Sequence, residues 1–502
     1  MRGVPSLISD IRKKVFTEVA RMAYNGDDYT KAEDLPFLIV PGDQPLHRES
    51  IFLERAIAGE RVRLAMGLSV RSVQTRSLMT EGMDHAAIAK QYYEPPLINI
   101  IPYACHACPT NRYWVTDVCQ NCLSASCQQV CPREAIKFVN GKSRIDPAKC
   151  IRCGKCAQAC AYHAIVHLER PCQAACGMDA IGSDENGRAT INQEKCVSCG
   201  QCLVSCPFGA IVDKGQIYQV VRSIMEGDKV IAIMAPAFAR QFGKDVTAAK
   251  LSSALRALGF ADVVEVAIGA DICAVEEAKD FLEKVPAKQP FMATSCCPAW
   301  HAMVHKLFPA QAKNISMTLT PMVYTARMVK REQPDARIVF VGPCAAKKLE
   351  AIREDIRSDV DFVLTFEELQ GMFEAKEVDF ESLEEDPELK NAGTAAGRGF
   401  AVAGGVAQAV VDIIHAQHPD MEIKVANAEG LKDCRKLMTM AKTGKYNGFL
   451  LEGMACPGGC VAGAGTLLPI DQAVKGVETA KKLATRKNPL ESEFSGIAEE
   501  LV

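Results

Sequence analysis

The 502-residue chain is 48% hydrophobic and 24% charged, ordinary values for a globular protein, and its length allows about two to four domains. A net charge of −3 gives no electrostatic basis for nucleic-acid binding. The opening residues lack an apolar core of signal-peptide length, and no run of some 18 apolar residues is available to span a bilayer; the expected location is the cytoplasm.

Taken in chain order, residues 1–98 contain no cysteine and show helical spacing at Ile51, Leu53, Ala56 and Ile57, which predicts a mainly helical domain with a scaffolding or docking role. Residues 99–212 are crowded with cysteine. From 213 to 470 strands and helices alternate. Val230–Met234, Ile338–Val341 and Gly448–Leu451 read as buried strands, and Ala248–Leu258 and Glu276–Val285 as amphipathic helices. That alternation predicts an α/β catalytic domain of two lobes with mostly parallel sheets. Glu377–Lys390 reads as an acidic, solvated insertion, and 471–502 as a charged tail.

Cysteine is the anomaly. There are 23, sixteen of them between Cys105 and Cys206. In a chain with no secretion signal, such cysteines are metal ligands or catalytic thiols more often than disulfides. Cys150, Cys153, Cys156 and Cys160 have the spacing of bacterial ferredoxins; Cys119, Cys122, Cys127 and Cys131 have it with one longer gap. Three close thiolates wrap one face of a cubane, and a remote cysteine takes the fourth iron. Exchange of fourth ligands gives one 4Fe–4S cluster on Cys119, Cys122, Cys127 and Cys160 and another on Cys131, Cys150, Cys153 and Cys156. A third full motif, Cys196, Cys199, Cys202 and Cys206, takes Cys176 as the remote ligand of its first three cysteines. Cys105, Cys108, Cys172 and Cys206 remain for a fourth cluster, with His106 as the alternative ligand. Zinc also binds Cys-x2-Cys pairs, but three-cysteine runs suit cubanes better. The segment is therefore expected to be a ferredoxin-like domain that carries single electrons.

Three loops hold the remaining chemistry: Thr294-Ser295-Cys296-Cys297-Pro298-Ala299-Trp300, Gly342-Pro343-Cys344-Ala345-Ala346-Lys347, and Glu452-Gly453-Met454-Ala455-Cys456-Pro457-Gly458-Gly459-Cys460. The second and third follow predicted strands, where α/β proteins bind ligands. In order and spacing the three loops resemble the signature motifs of FeFe hydrogenases, and the resemblance covers about residues 99–470. Ala299, Gly342 and the four-cluster wiring resemble the branch called group B, of monomeric type.

The resemblance implies an H-cluster, a 4Fe–4S cubane joined through one thiolate to a diiron unit with carbon monoxide, cyanide and azadithiolate. It implies that Cys297, Cys344, Cys456 and Cys460 hold the cubane, Cys460 bridging, and that Lys347 faces a cyanide. Ala235, Pro236, Thr320, Pro321, Phe400 and Met454 fall where the family lines the diiron pocket. Cys296 takes the place of the proton-transfer thiol, with Glu277, Ser316 and Asp280 behind it and Lys284 on the same helix face; the bland alternative for that face is solvated charge. The implied reaction is reversible 2H⁺ + 2e⁻ to H₂, with ferredoxin or flavodoxin as electron carrier and maturation proteins supplying the diiron unit.

Two substitutions depart from the family pattern. Gly342 replaces a common methionine, and Met322 a common glutamine. Cys273 and Cys434 read as small buried hydrophobes. Two other classes compete. A hydrogen sensor would carry an output domain, and none is evident. A cluster-assembly relative would lose Cys296, Lys347 or Cys460, all of which are present.

Overall fold

The computed structural model describes residues 3–87, 95–389 and 393–501; Lys390 and Val502, ends of the predicted insertion and tail, lie outside them. Two sheets form, the first largely from apolar runs rich in Val and Ile, and every strand pair in both is parallel. One sheet has the order Asp262–Glu265, Val230–Met234, Arg337–Gly342, Phe362–Thr365. The other has the order Met292–Ala293, Phe449–Met454, Lys424–Glu429. Val230–Met234 is buried at every position, as expected of a strand covered on both faces. Helix Ala267–Lys284 packs against helices Pro321–Glu332 and Gly405–Gln417. Its fully buried face includes Ile272, Cys273 and Ala274. Among the described residues, no helix is long and apolar enough to cross a membrane.

The iron–sulfur segment begins and ends at one place. Strand Ile98–Ile100 pairs antiparallel with Ile211–Asp213, so residues 101–210 form an excursion from a two-stranded clasp. Within it, three short antiparallel ladders, Arg112–Val115 with Ile165–Leu168, Ile136–Val139 with Lys142–Ile145, and Ile181–Ser183 with Ala189–Ile191, hold the cysteine loops.

Packing adds to three of these expectations. The described residues before Ile98 are mainly helical, but they share their core with the catalytic body. Helix Leu7–Tyr24, started by a Ser6/Ser9 capping box, packs Val15, Phe16 and Val19 into the same apolar cluster as Val341, Phe366 and Val477. Its burial against helix Phe366–Ala375 makes it part of the catalytic body.

The acidic stretch is exposed along most of its described length, as a solvated insertion should be, and is anchored at a few points. Phe380 and Leu383 pack on that core, while buried Asp386 accepts from Ser252 Oγ at 2.6 Å and Arg256 Nε at 2.9 Å. The charged tail is likewise structural: helix Ile470–Leu483 buries Ala473 and Val477, and Arg327 donates to the Leu501 carbonyl at 2.8 Å. In each case charge density on one face concealed the apolar face that folds.

Asp271 ties helix Ala267–Lys284 to the start of helix Ala395–Gly399, accepting from Thr394 N at 3.0 Å and Thr394 Oγ1 at 2.5 Å. Burial outweighs these bonds and pushes its carboxyl up to about 7. The folded state therefore binds a proton that the unfolded chain releases above about pH 4. Stability is expected to fall between about pH 4 and 7 and then level off. In Asp271→Asn this loss should shrink by up to a few kcal/mol, read from denaturation midpoints across that range.

Candidate functional site: a thiol-lined cavity at the strand ends

Four loops leave the carboxyl ends of parallel strands toward one point. Ala235 and Pro236 follow Val230–Met234, Thr294–Cys297 follow Met292–Ala293, Pro343 and Cys344 follow Arg337–Gly342, and Ala455–Cys460 follow Phe449–Met454. Small residues let them close. A Cβ on Gly453 would lie 2.2 Å from the buried Trp300 ring, and one on Gly463 would lie 2.3 Å from the Pro343 carbonyl oxygen. Trp300 in turn donates Nε1 to the Thr294 carbonyl at 3.0 Å. The first loop is thus locked against the third, and the third against the second.

Between them lies a cavity of about 90 Å³, lined by Cys296, Cys297, Cys344, Cys456 and Cys460 together with Lys347, Ala235, Pro236, Pro321, Phe400 and Met454. Thr320 is not on this wall. It stands one step behind, where its hydroxyl accepts from Lys347 Nζ at 3.2 Å and donates to Glu350 Oε1 at 2.6 Å. Buried Lys347 also pairs with Glu350 Oε2 at 2.6 Å. Burial alone would neutralise this ammonium, but Glu350 and then the Cys344 and Cys296 sulfurs hold its pKa above the ordinary lysine value. The result is a fixed cation in an apolar, sulfur-rich pocket.

Burial raises the thiols. Cys344 is pushed up to about 11, chiefly by desolvation and then by Cys297, with Lys347 pulling the other way. Cys297 and Cys460 move in the same direction, with burial the leading cause. Without a cation these sulfurs stay protonated, so a metal held by them must displace protons.

Behind Cys296 lies Glu277, wholly buried. Its Oε1 accepts from Ser295 N at 3.2 Å, while Oε2 has no hydrogen-bond partner. Desolvation pushes it up to about 8, and the Ser316 hydroxyl opposes that shift. Asp280, one turn further out, is ion-paired with Lys284 at 2.6 Å. Cys273 is fully buried, with Glu277 raising its pKa after burial; Cys434 donates to the Met454 carbonyl at 3.5 Å.

The iron–sulfur cysteines also fall into groups. Cys105, Cys108, Cys172 and Cys206 line one small enclosed void with His106, and the His106 ring stacks on Phe208 at 4.1 Å. Cys202 is raised by burial and then by Cys199, Cys196 and Cys176. Cys156 is raised by burial, with Cys150 and Cys131 adding to it. Cys199, pushed up to about 12 by burial, is close enough to Cys297 for that thiol to add to the shift. Gln201 Nε2 donates to Cys456 Sγ at 3.2 Å, a direct bond from the iron–sulfur segment to the cavity.

The chain is similar to known proteins along both of these segments. Residues 228–464 match the family "Iron only hydrogenase large subunit, C-terminal domain", residues 189–212 a "4Fe-4S binding domain", and residues 112–161 a "4Fe-4S dicluster domain". Iron hydrogenase 1 of Clostridium pasteurianum is 30% identical over 387 residues, covering 66% of this chain and 67% of that one. The chain belongs to the iron-only hydrogenase family. The periplasmic [Fe] hydrogenase large subunit of Nitratidesulfovibrio vulgaris is 29% identical over 298 residues, covering 49% and 71%. A Drosophila mojavensis protein named "Probable cytosolic Fe-S cluster assembly factor" is 26% identical over 332 residues, covering 54% and 68%. A solved [FeFe]-hydrogenase, described for stepwise H-cluster assembly, is 23% identical with a TM-score of 0.46, covering 54% of this chain and 89% of that one.

Several residues of this hydrogenase-family site were not singled out by sequence. Phe340 lines the cavity and stands two residues before Gly342, hence on the same strand face. A Cβ at Gly342 would lie 2.5 Å from its ring, so Phe340 fills the room that the family's commoner methionine would need. The strand period could have flagged the pair. Glu350 was three residues from Lys347, a helical ion-pair spacing. In sequence Glu452 reads only as the first residue of the third loop. It is buried, accepts from Gly404 N at 2.6 Å and Ala407 N at 2.8 Å, and burial pushes it up to about 7. Gln201 carried no signal beyond its place between two cysteines.

Proposed function

We propose that this chain is a FeFe hydrogenase of group B type, catalysing reversible 2H⁺ + 2e⁻ to H₂. One observation carries the reading: five cysteines from three loops converge on a single apolar cavity beside a buried lysine. A hydrolytic zinc site needs three or four ligands and a water; five thiols with one cation and no exposed base are suited to a larger, anionic, sulfur-bound centre. On this reading Cys297, Cys344, Cys456 and Cys460 hold the cubane of an H-cluster, and Ala235, Pro236, Pro321, Phe400 and Met454 wall off its diiron unit, which maturation proteins supply. When bound, that centre supplies the redox chemistry of hydrogen. The protein's share is orientation, exclusion of water and delivery of protons.

Lys347, its charge held by Glu350 and Thr320, offers a buried ammonium to an anionic ligand. Cys296 presents a thiol to the cavity, and Glu277 stands behind it as a neutral acid below about pH 8. Protons reach it through Asp280 and Ser316. Four accessory 4Fe–4S clusters, on the cysteine sets given by the motif spacing, bring electrons from ferredoxin or flavodoxin. The grouping of Cys105, Cys108, Cys172 and Cys206 around one void, and the reach of Cys199 to Cys297, support that wiring.

Matured protein is expected to show infrared bands of metal-bound carbon monoxide and cyanide and to evolve hydrogen from reduced methyl viologen. Iron content without those bands would instead favour the cluster-assembly class represented by the Drosophila mojavensis relative. Bands without turnover would favour a sensor.

A further inference from the structure

Residues 112–161 differ from the rest of the molecule in charge. They hold eight lysines and arginines against three carboxylates, in a chain whose total is −3. Lys142 pairs with Asp117; the other seven cations form no ion pair among the described residues. A basic surface left unneutralised by its own chain attracts an acidic partner and steers its approach.

The exposure of one loop gives that charge a focus. From Lys149 to Lys155 the chain exposes Lys149, Ile151, Arg152, Cys153 and Lys155, with Ile151 at 58%. Among the 23 cysteines, all described, Cys153 alone is exposed. The companion motif's loop exposes Leu123 and Val118, at 103% and 56%. Solvated apolar side chains amid unpaired cations are the composition of a protein-docking patch, apolar within and polar at the rim. The place in the fold agrees. The elements of this module pack on each other, whereas Ala174, Gly177, Glu194, Cys196 and Gln201 are bonded to the catalytic body, through Lys432, Arg435, Lys306 and Cys456. The loop therefore belongs to the end of the wire remote from the cavity.

We propose that Lys149–Lys155 is the electron port, docking an acidic, soluble one-electron carrier protein over Cys153. This rests on the assignment of Cys153 to a 4Fe–4S cluster made above. The carrier's acidic rim meets Lys149, Arg152 and Lys155, and its apolar centre covers Ile151. One electron passes per encounter, the carrier being oxidised and the cluster reduced, with no bond made or broken.

The test uses matured full-length protein and an acidic bacterial 2[4Fe–4S] ferredoxin as probe. In Lys149→Glu/Lys155→Glu, neither a cluster ligand, the Kd for ferredoxin measured by biolayer interferometry should rise about tenfold or more at low salt. Its KM in hydrogen evolution should rise in parallel. Methyl-viologen-driven turnover, iron content and cluster EPR should stay at the parental level. The steep salt dependence of parental binding should flatten in the variant. Ile151→Ser should weaken binding without changing that salt slope. An unchanged Kd and KM in the charge-reversed protein overturns the port, as does parental protein that fails to bind the ferredoxin. Absence of parental turnover with viologen would instead overturn the hydrogenase reading, while the binding measurement still decides the port.

Discussion

Cys296→Ala is expected to reduce hydrogen turnover by about 10² to 10⁴-fold, the usual worth of a positioned proton donor. Cys296 lines the cavity with the four other thiols, and burial first, then Glu277, favour its neutral form. A neutral thiol beside a neutral carboxylic acid hands protons inward without burying a net charge, which an apolar pocket would resist. Alanine removes the donor and leaves the walls. Serine keeps the shape, but its hydroxyl is a far weaker acid, so Cys296→Ser should fall nearly as far. Both variants should retain the parental iron content and the carbon monoxide and cyanide bands, separating lost proton delivery from a lost centre. Near-normal hydrogen evolution by the two variants would remove Cys296 from the route.

The site was legible in sequence wherever its chemistry is carried by residue type at fixed spacing. The three loops announced themselves because closely spaced cysteines in a chain of this kind suit metal ligation, and because apolar strands preceded two of them. The strands at Val230, Ile338 and Phe449 were legible for the same reason: a run buried on both faces has no polar interruption to confuse its reading. What sequence could not supply was contact at long range. Phe340 compensates for Gly342 across two residues of one strand, yet its importance appears only once Ala235 is seen on the other side. The core shared by the first helix and the catalytic body was hidden because an apolar stripe gives no address; helix Leu7–Tyr24 packs on Phe366–Ala375, some 350 residues later. The anchors of the acidic stretch and of the carboxyl-terminal helix were hidden for a common reason. Charge was counted along the chain, whereas burial follows the face, and Phe380, Ala473 and Val477 lie on faces that a linear count averages away.

Lys348→Met is expected to cost the folded protein about 3–5 kcal/mol, the usual penalty for stripping one partner from a buried ion pair. Lys348 has no exposed side-chain surface and pairs with Asp213 at 2.7 Å and Glu368 at 2.9 Å, while Arg12 lies 3.5 Å from Asp213 and 2.5 Å from Glu367. These five groups come from four parts of the chain: the first helix, the strand that closes the iron–sulfur excursion, the short helix Ala346–Ala351 after Cys344, and helix Phe366–Ala375. Lys348 holds Asp213 below the ordinary carboxylate range despite burial. Methionine fills the volume and leaves Asp213 and Glu368 facing each other in low dielectric, with Arg12 reaching only the first. At least one carboxyl must then have a folded pKa above its unfolded value, so the folded variant binds a proton that the unfolded chain has released. The sign follows from that difference. The deficit relative to the parent should be largest at neutral pH and shrink as pH falls toward about 4, where the unfolded carboxyls protonate too. Thermal or urea midpoints of parent and variant between those limits measure it. A deficit independent of pH would mean that Lys348 contributes packing rather than charge at this junction, and that the clasp at Asp213 holds without it.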